Sequence, residues 1–300
     1  MIVGNLVAGR GPSPNRIRRF GIFQVLRVVK LAPFRRLGRA FGLALGGVAA
    51  IYGVLFAGSG REVLAGESEP RWCAPELETL AGEVCLYVPK HDAERPTNLV
   101  IFLHSLVGRG NTWQWEQQRT MVQAADRHGF AVLMPRGRLG LGPGGAEDVW
   151  AWPTAQRTEA AVEPSLVDEW KRARTAAEER HGAFERTFVF GFSSGAYYTA
   201  SLALRNRIGA DGYAIFAGGS GSKWKATNAS SVTNRAPVFV AYGTKDPSRR
   251  DPQAFARLLK ELDWPHRLDS APVGHTVTHE QLRRAVDYLT APPKARSKSP

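Results

Sequence analysis

The stretch that decides the fold is Thr187-Phe188-Val189-Phe190-Gly191-Phe192-Ser193-Ser194-Gly195-Ala196. An apolar run of β-branched and aromatic residues ends in Gly-x-Ser-x-Gly and passes at once into helix-forming residues. This is the pattern of a nucleophile elbow: a buried strand, a turn too sharp for large flanking residues, then a helix. Gly191 and Gly195 allow the tight backbone, and Ser193 between them is pushed out to where a substrate carbonyl can reach it. The N–H groups that open the following helix point at the same spot, where negative charge develops during acyl transfer. In a chain with 31 glycines the pentapeptide alone is weak evidence. What decides is whether an acid and a histidine follow it in the right order.

Both do. A serine hydroxyl needs a base within hydrogen-bond reach, and the base needs an acid that fixes its tautomer. Downstream of Ser193, the apolar run Val238–Tyr242 ends in Gly243-Thr244-Lys245-Asp246. Further on, a strand-like stretch ending near Ala271 leads into Pro272-Val273-Gly274-His275-Thr276. A carboxylate and an imidazole just past buried strands lie at the carboxyl edge of a sheet, where sites of open α/β sheets form. Asp251 and Asp269 compete with Asp246 for the acid, and His279 competes with His275 for the base. Ser194 is a rival nucleophile, but the frame centres on Ser193.

Working outward, strand-like and helix-like segments alternate from Val84 onward. Strands are expected at Val84–Val88, Leu99–Leu103, Phe130–Met134, Phe188–Phe192, Tyr213–Ala217, Val238–Tyr242 and His266–Ser270. Helices are expected from a cap at Asn111 or Thr112 to about His128, then at Val162–His181, Ser194–Arg207, Gln253–Leu262 and Thr278–Leu289. Fully apolar strands joined by helical crossovers mean an α/β fold with a mostly parallel sheet flanked by helices. The segment Arg136–Arg157 breaks the alternation, being rich in Gly and Pro and ending with Trp150 and Trp152. It reads as a long loop whose tryptophans either line a substrate cleft or plug a hydrophobic seam.

Gly-Phe-Ser193-Ser-Gly, Tyr-Gly-Thr-Lys-Asp246, Gly-His275-Thr and Phe-Leu-His104-Ser-Leu-Val-Gly together resemble the α/β-hydrolase superfamily. Within it, the chain is similar to the esterase branch of polyhydroxyalkanoate-depolymerase-like and feruloyl-esterase-like proteins and small carboxylesterases. The resemblance covers roughly residues 83–290. It implies Ser193 as nucleophile, His275 as base and Asp246 as acid. It also implies an oxyanion hole from the backbone N–H groups of Ser194 and Leu106, with no metal or cofactor. The family usually writes its early loop His-Gly-x-x-Gly, so Ser105 stands where glycine is usual. A side chain there narrows the pocket or misplaces the Leu106 N–H, and losing one such donor costs about 10²–10³ in rate. His104 and Ser105 join Trp150 and Trp152 as candidate substrate contacts.

The implied function is serine-dependent hydrolysis of a small or polymeric carboxylic ester through an acyl-enzyme. The same superfamily holds thioesterases and peptidases. A non-catalytic binding protein at the membrane, using the tryptophan-bearing loop, is the rival from another class.

The ends of the chain carry the charge. The net +13 is wholly accounted for by basic residues before the first acid, Glu62, and by Lys294, Arg296 and Lys298. Residues 62–293 are neutral on balance, so the body carries no signal for nucleic acid. Residues 1–61 read as a basic segment with a signal peptide or membrane anchor at the uncharged stretch 40–60. That implies an exported, periplasmic, extracellular or membrane-anchored protein; the alternative is a basic surface segment of a cytoplasmic one. Residues 62–82 read as a linker, 83–290 as the catalytic domain and 291–300 as a polar tail. Cys73 and Cys85, the only cysteines, are expected to form a disulfide if the chain is exported, and otherwise to stay unpaired.

Overall fold

The computed structural model describes residues 69–90, 97–219 and 229–292. The basic segment 1–61, the apolar stretch 40–60, the start of the linker and the tail from residue 293 lie outside the described residues.

Eight strands form the main sheet: β1 (Glu78–Leu80), β2 (Val84–Tyr87), β3 (Asn98–Leu103), β5 (Phe130–Met134), β8 (Arg186–Phe192), β9 (Gly212–Phe216), β10 (Val238–Gly243) and β11 (His266–Ala271). Their order is β1-β2-β5-β3-β8-β9-β10-β11. β1, β2 and β5 pair antiparallel, and every pairing from β5 to β11 is parallel. β3, β5, β8, β9 and β10 are apolar runs because helices cover both faces. β8, the elbow strand, sits between β3 and β9.

The helices are α1 (Trp113–His128), α2 (Gln156–His181), α3 (Ser194–Arg205), α4 (Arg250–Glu261) and α5 (His279–Thr290). α1 and α5 pack on one face, over Phe102, Phe190, Phe216 and Phe239. α2, α3 and α4 pack on the other, over Ile101, Val189, Ile215 and Val240. α1 ends at Gly129, whose φ of 68° makes the left-handed cap. α5 starts on a capping box, in which the Thr278 hydroxyl accepts from the Gln281 N–H.

Three differences from expectation have physical causes. α2 begins six residues before Val162 and carries Pro164 in its interior. Its early turns place Glu159 and Glu163, one helical turn apart, against Arg205 of α3. Glu163 also accepts from Arg207 at 2.7 Å and from the Tyr198 hydroxyl at 3.1 Å. Burial would raise the Glu163 carboxyl; the Arg205 and Arg207 hydrogen bonds outweigh it and hold its pKa below the usual range.

Residues 69–82 are not a free linker. They carry β1, and Trp72, Cys73, Ala74 and Leu77 are buried in the core. Gln118 of α1 holds this segment: its Oε1 accepts from the Ala74 N–H at 2.8 Å and its Nε2 donates to the Trp72 carbonyl at 3.1 Å. Cys73 and Cys85 form a disulfide.

The long loop 136–157 is organised. β4 (Val107–Gly108), β6 (Arg138–Leu139) and β7 (Val149–Ala151) form a small antiparallel sheet in the order β4-β7-β6. Pairs this short leave no alternating pattern to read. This sheet pins Val107, the neighbour of Leu106.

Candidate active site

Ser193 stands between β8 and α3 with φ 52° and ψ −115°. A non-glycine residue in such a conformation costs about 1–3 kcal/mol and persists only where its surroundings enforce it. Here they do. The Ser193 N–H donates to the Phe216 carbonyl at 3.0 Å, and its own carbonyl accepts from Ala196 and Tyr197. The glycines on either side are steric necessities. A Cβ on Gly191 would lie 2.3 Å from the Thr199 hydroxyl, and one on Gly195 would lie 2.1 Å from the Leu103 carbonyl oxygen.

The acid and the imidazole reach this point from the ends of β10 and β11. After β10 and β11 the loops are laced together: Thr244 N–H donates to Ala271 at 2.8 Å and Lys245 N–H to Val273 at 3.0 Å. Gly243 permits the approach, since a Cβ there would meet the carbonyl oxygens of Gly274 and Val273 at 2.2 and 2.3 Å. Gln281 of α5 is buried and donates to the Tyr242 carbonyl at 3.2 Å, which fixes the helix following His275.

The result is a continuous hydrogen-bonded chain. His275 Nε2 lies 2.9 Å from Ser193 Oγ, and His275 Nδ1 lies 2.8 Å from Asp246 Oδ2. A carboxylate only accepts, so Nδ1 carries the proton and Nε2 is left to accept from the serine. Asp246 is 1% exposed, and its other oxygen, Oδ1, accepts from both the N–H and the hydroxyl of Ser248 at 2.8 Å. Burial would raise the Asp246 carboxyl, but the bonds from His275 and Ser248 prevail and hold its pKa below the usual range. The rival acids are engaged elsewhere. Asp269 accepts from Arg284 at 2.8 Å, and Asp251 accepts from the Tyr197 hydroxyl. His279 is exposed at the start of α5.

The early loop faces the elbow. The His104 carbonyl accepts from the Gly195 N–H at 3.1 Å and from the Trp152 indole at 2.8 Å, which locks loop, elbow and β7 together. The His104 ring is buried. Its Nδ1–H donates to the Ser105 carbonyl at 2.5 Å, and its Nε2 accepts from the Gly137 N–H at 2.9 Å. Burial holds it neutral, with its pKa pulled down to about 3. Among the described residues, the N–H groups of Leu106 and Ser194 donate to no protein acceptor.

Several candidate substrate contacts prove to be packing residues. His104 and Trp152 are buried, and Trp152 stacks on Tyr198 with centroids 6.0 Å apart. Trp150 packs between Trp72 and the Arg136 guanidinium, 4.0 Å over its ring. Ser105 is buried but not strained. It is absent from the residues with positive φ, so no glycine is needed there.

An apolar cavity of about 200 Å³ opens beside the chain. Phe192 and Thr276, the neighbours of Ser193 and His275, help to line it, as do Phe102, Phe216, Trp113 and Gln117. Two residues here escaped the sequence reading. Ser248 carried a usable signal, because an Asp with Ser two positions on is an Asx-turn pattern. Gln117, on the cavity wall, carried none.

No curated protein matches the chain. Solved structures that resemble it include YahD with malic acid, at TM-score 0.49 and 18% identity over 69% of this chain and 97% of that one. A Bacillus cereus carboxylesterase gives TM-score 0.45 and 18% identity over 69% and 92%. A lidless α/β serine hydrolase from Xanthomonas campestris gives 0.46 and 19% over 70% and 91%. The family model described as esterase PHB depolymerase matches residues 83–240. That span holds Ser193 and the His104 loop and ends before Asp246 and His275. The chain therefore belongs to the esterase PHB depolymerase family and is a serine hydrolase of α/β fold.

Proposed function

We propose that the protein hydrolyses carboxylic esters with Ser193 as nucleophile, His275 as general base and acid, and Asp246 as the carboxylate that orients it. The observation that carries the reading is the unbroken Ser193–His275–Asp246 hydrogen-bonded chain. Ser193 Oγ attacks the ester carbonyl carbon while its proton passes to His275 Nε2. The oxyanion is received by the N–H groups of Leu106 and Ser194, whose lack of protein acceptors supports that role. Collapse of the tetrahedral intermediate expels the alcohol, which takes the proton from His275. Water then attacks the acyl-enzyme by the same steps, releasing the acid and restoring Ser193. Asp246 keeps the Nδ1 proton in place and stabilises the imidazolium.

A fluorophosphonate probe tests this. Labelling of the native protein that vanishes in Ser193→Ala is expected; a folded protein that resists labelling sinks the proposal.

We further infer that the hydrolase domain works outside the reducing cytoplasm. The support is the Cys73–Cys85 disulfide, since such bonds persist in oxidising compartments. Among the described residues no helix is long and apolar enough to cross a membrane. Fractionation of cells making the full chain tests the inference, and a cytosolic product with free thiols refutes it.

A further inference from the structure

The cavity beside Ser193 has three phenylalanines, Phe102, Phe192 and Phe216, on its sheet side and the Trp113 indole, 48% exposed, on another. The lining also carries polar residues, Glu116, Thr120 and Thr276, and Gln117 is the buried one among the polar residues of this wall. Gln117 is 7% exposed, yet its amide Nε2 has no hydrogen-bond partner. A buried amide donor left unmatched is destabilising, so such a group on a cavity-lining residue marks a place where a ligand can complete the bond. The orientation of this amide follows from its neighbour. The Ser105 N–H donates to Gln117 Oε1 at 2.8 Å, which commits the oxygen inward and leaves Nε2 as the unmatched end.

Ser105 also holds Trp113, one helical turn before Gln117 on α1. Its hydroxyl accepts from the Trp113 indole N–H at 3.3 Å and donates to the Leu106 carbonyl at 3.3 Å. A glycine at 105 would keep the amide bond to Gln117 but leave the indole without this anchor. The serine that departs from the family pattern thus ties the exposed tryptophan to the peptide next to Leu106.

We propose that this cavity is the subsite for an uncharged substrate group bearing a hydrogen-bond acceptor oxygen, received by Gln117 Nε2 between the phenylalanines and a Trp113 wall held by Ser105. A ketone, ether or further ester carbonyl on the acyl or alcohol side satisfies the description; a plain alkyl chain fills the space but leaves the donor bare. The inference rests on Ser193 as nucleophile and deepens that reading.

The test uses matched pairs of p-nitrophenyl esters: 4-oxopentanoate against 4-methylpentanoate, and 4-methoxyphenylacetate against 4-ethylphenylacetate. In the native enzyme the oxygen-bearing member of at least one pair is expected to have the higher kcat/KM, by about tenfold for one well-placed neutral hydrogen bond. Gln117→Glu keeps an oxygen for the Ser105 N–H and replaces the donor by an acceptor, so the preference is expected to disappear or reverse, chiefly through KM. Ser105→Gly is expected to raise KM for both phenylacetates through the loosened indole. Equal kcat/KM within both pairs in the native enzyme overturns the proposal with no variant needed, as does a preference that survives in Gln117→Glu. Labelling of Ser193 by the fluorophosphonate separates the two readings: labelling intact with no oxygen preference removes the subsite and leaves the nucleophile standing.

Discussion

Asp246→Asn tests the reasoning about the catalytic chain most sharply, because the hydrogen bonds around residue 246 dictate which way the amide turns. Oδ1 receives two donors, the N–H and the hydroxyl of Ser248, both at 2.8 Å. Only the amide oxygen of an asparagine can occupy that position. Its NH2 is then turned to the Oδ2 position, 2.8 Å from His275 Nδ1. An amide donor there requires Nδ1 to accept, so the imidazole proton moves to Nε2. A protonated Nε2 donates to Ser193 Oγ instead of accepting from it, and the serine loses its base. The loss expected from this tautomer reversal is about 10⁴ in kcat, equivalent to about 5.4 kcal/mol of transition-state stabilisation. The fold should be kept, since the two side chains have one shape, while the stability contributed by the ionised carboxylate is lost. The assay is p-nitrophenyl acetate hydrolysis at pH 7, with thermal melting and fluorophosphonate labelling in parallel. Asp269→Asn and Asp251→Asn serve as comparators and should stay within about tenfold of the native enzyme. Asp246→Asn that is folded at the assay temperature and retains more than one tenth of native kcat would refute the argument; a collapse in Asp269→Asn instead would move the acid there.

Three more outcomes follow from the same geometry. Gly195→Ala forces a methyl to 2.1 Å from the Leu103 carbonyl oxygen, so the elbow must open; a destabilisation of about 3 kcal/mol by urea titration, with most activity lost, is expected. Replacing Cys73 and Cys85 by serine releases the segment that Gln118 holds, and a loss of about 3 kcal/mol is expected, checked by the urea midpoint against the native enzyme. Asp246 and Glu163 have folded-state pKa values held below their ordinary 3.8 and 4.5. Their contribution to stability is therefore complete above about pH 5 and is lost as pH falls through those values and below. Urea midpoints at pH 6, 4 and 3 should fall in that order, and the fall should be shallower in Glu163→Gln. A midpoint that does not move with pH contradicts the assignment.

The readable parts of this chain share one property: their signal is local. β5 was expected at Phe130–Met134 and lies there, because five consecutive apolar residues between a capping glycine and a proline admit little else. The elbow is legible because Gly-x-Ser-x-Gly is itself a local pattern, although the contact that requires Gly195, with the Leu103 carbonyl oxygen, comes from β3. The small sheet of β4, β6 and β7 is not legible, since its strands are two or three residues long. The early turns of α2 are not legible because Pro164 lies in the helix interior, where proline is normally excluded. Long-range pairs of Glu159 and Glu163 with Arg205 hold the earlier turns, and no sequence window contains both partners.

Ser105 shows how a motif can mislead while its location is right. Against the pattern His-Gly-x-x-Gly it counts as a defect, on the premise that position 105 needs glycine's backbone freedom. The premise fails here: Ser105 lies outside the left-handed region, and its N–H and hydroxyl are both used. The partners, Gln117 and Trp113, sit on α1, twelve and eight residues away. Neither carries a motif, and on an amphipathic helix each reads as an ordinary wall residue. The substitution acquires meaning only in the folded chain, where the Ser105 N–H bonds Gln117 Oε1 and so sets the orientation of a buried amide whose Nε2 is unmatched. On the subsite and oxyanion roles proposed above, a change at 105 should alter which esters are accepted before it abolishes their hydrolysis, which the matched ester pairs assayed on Ser105→Gly would show.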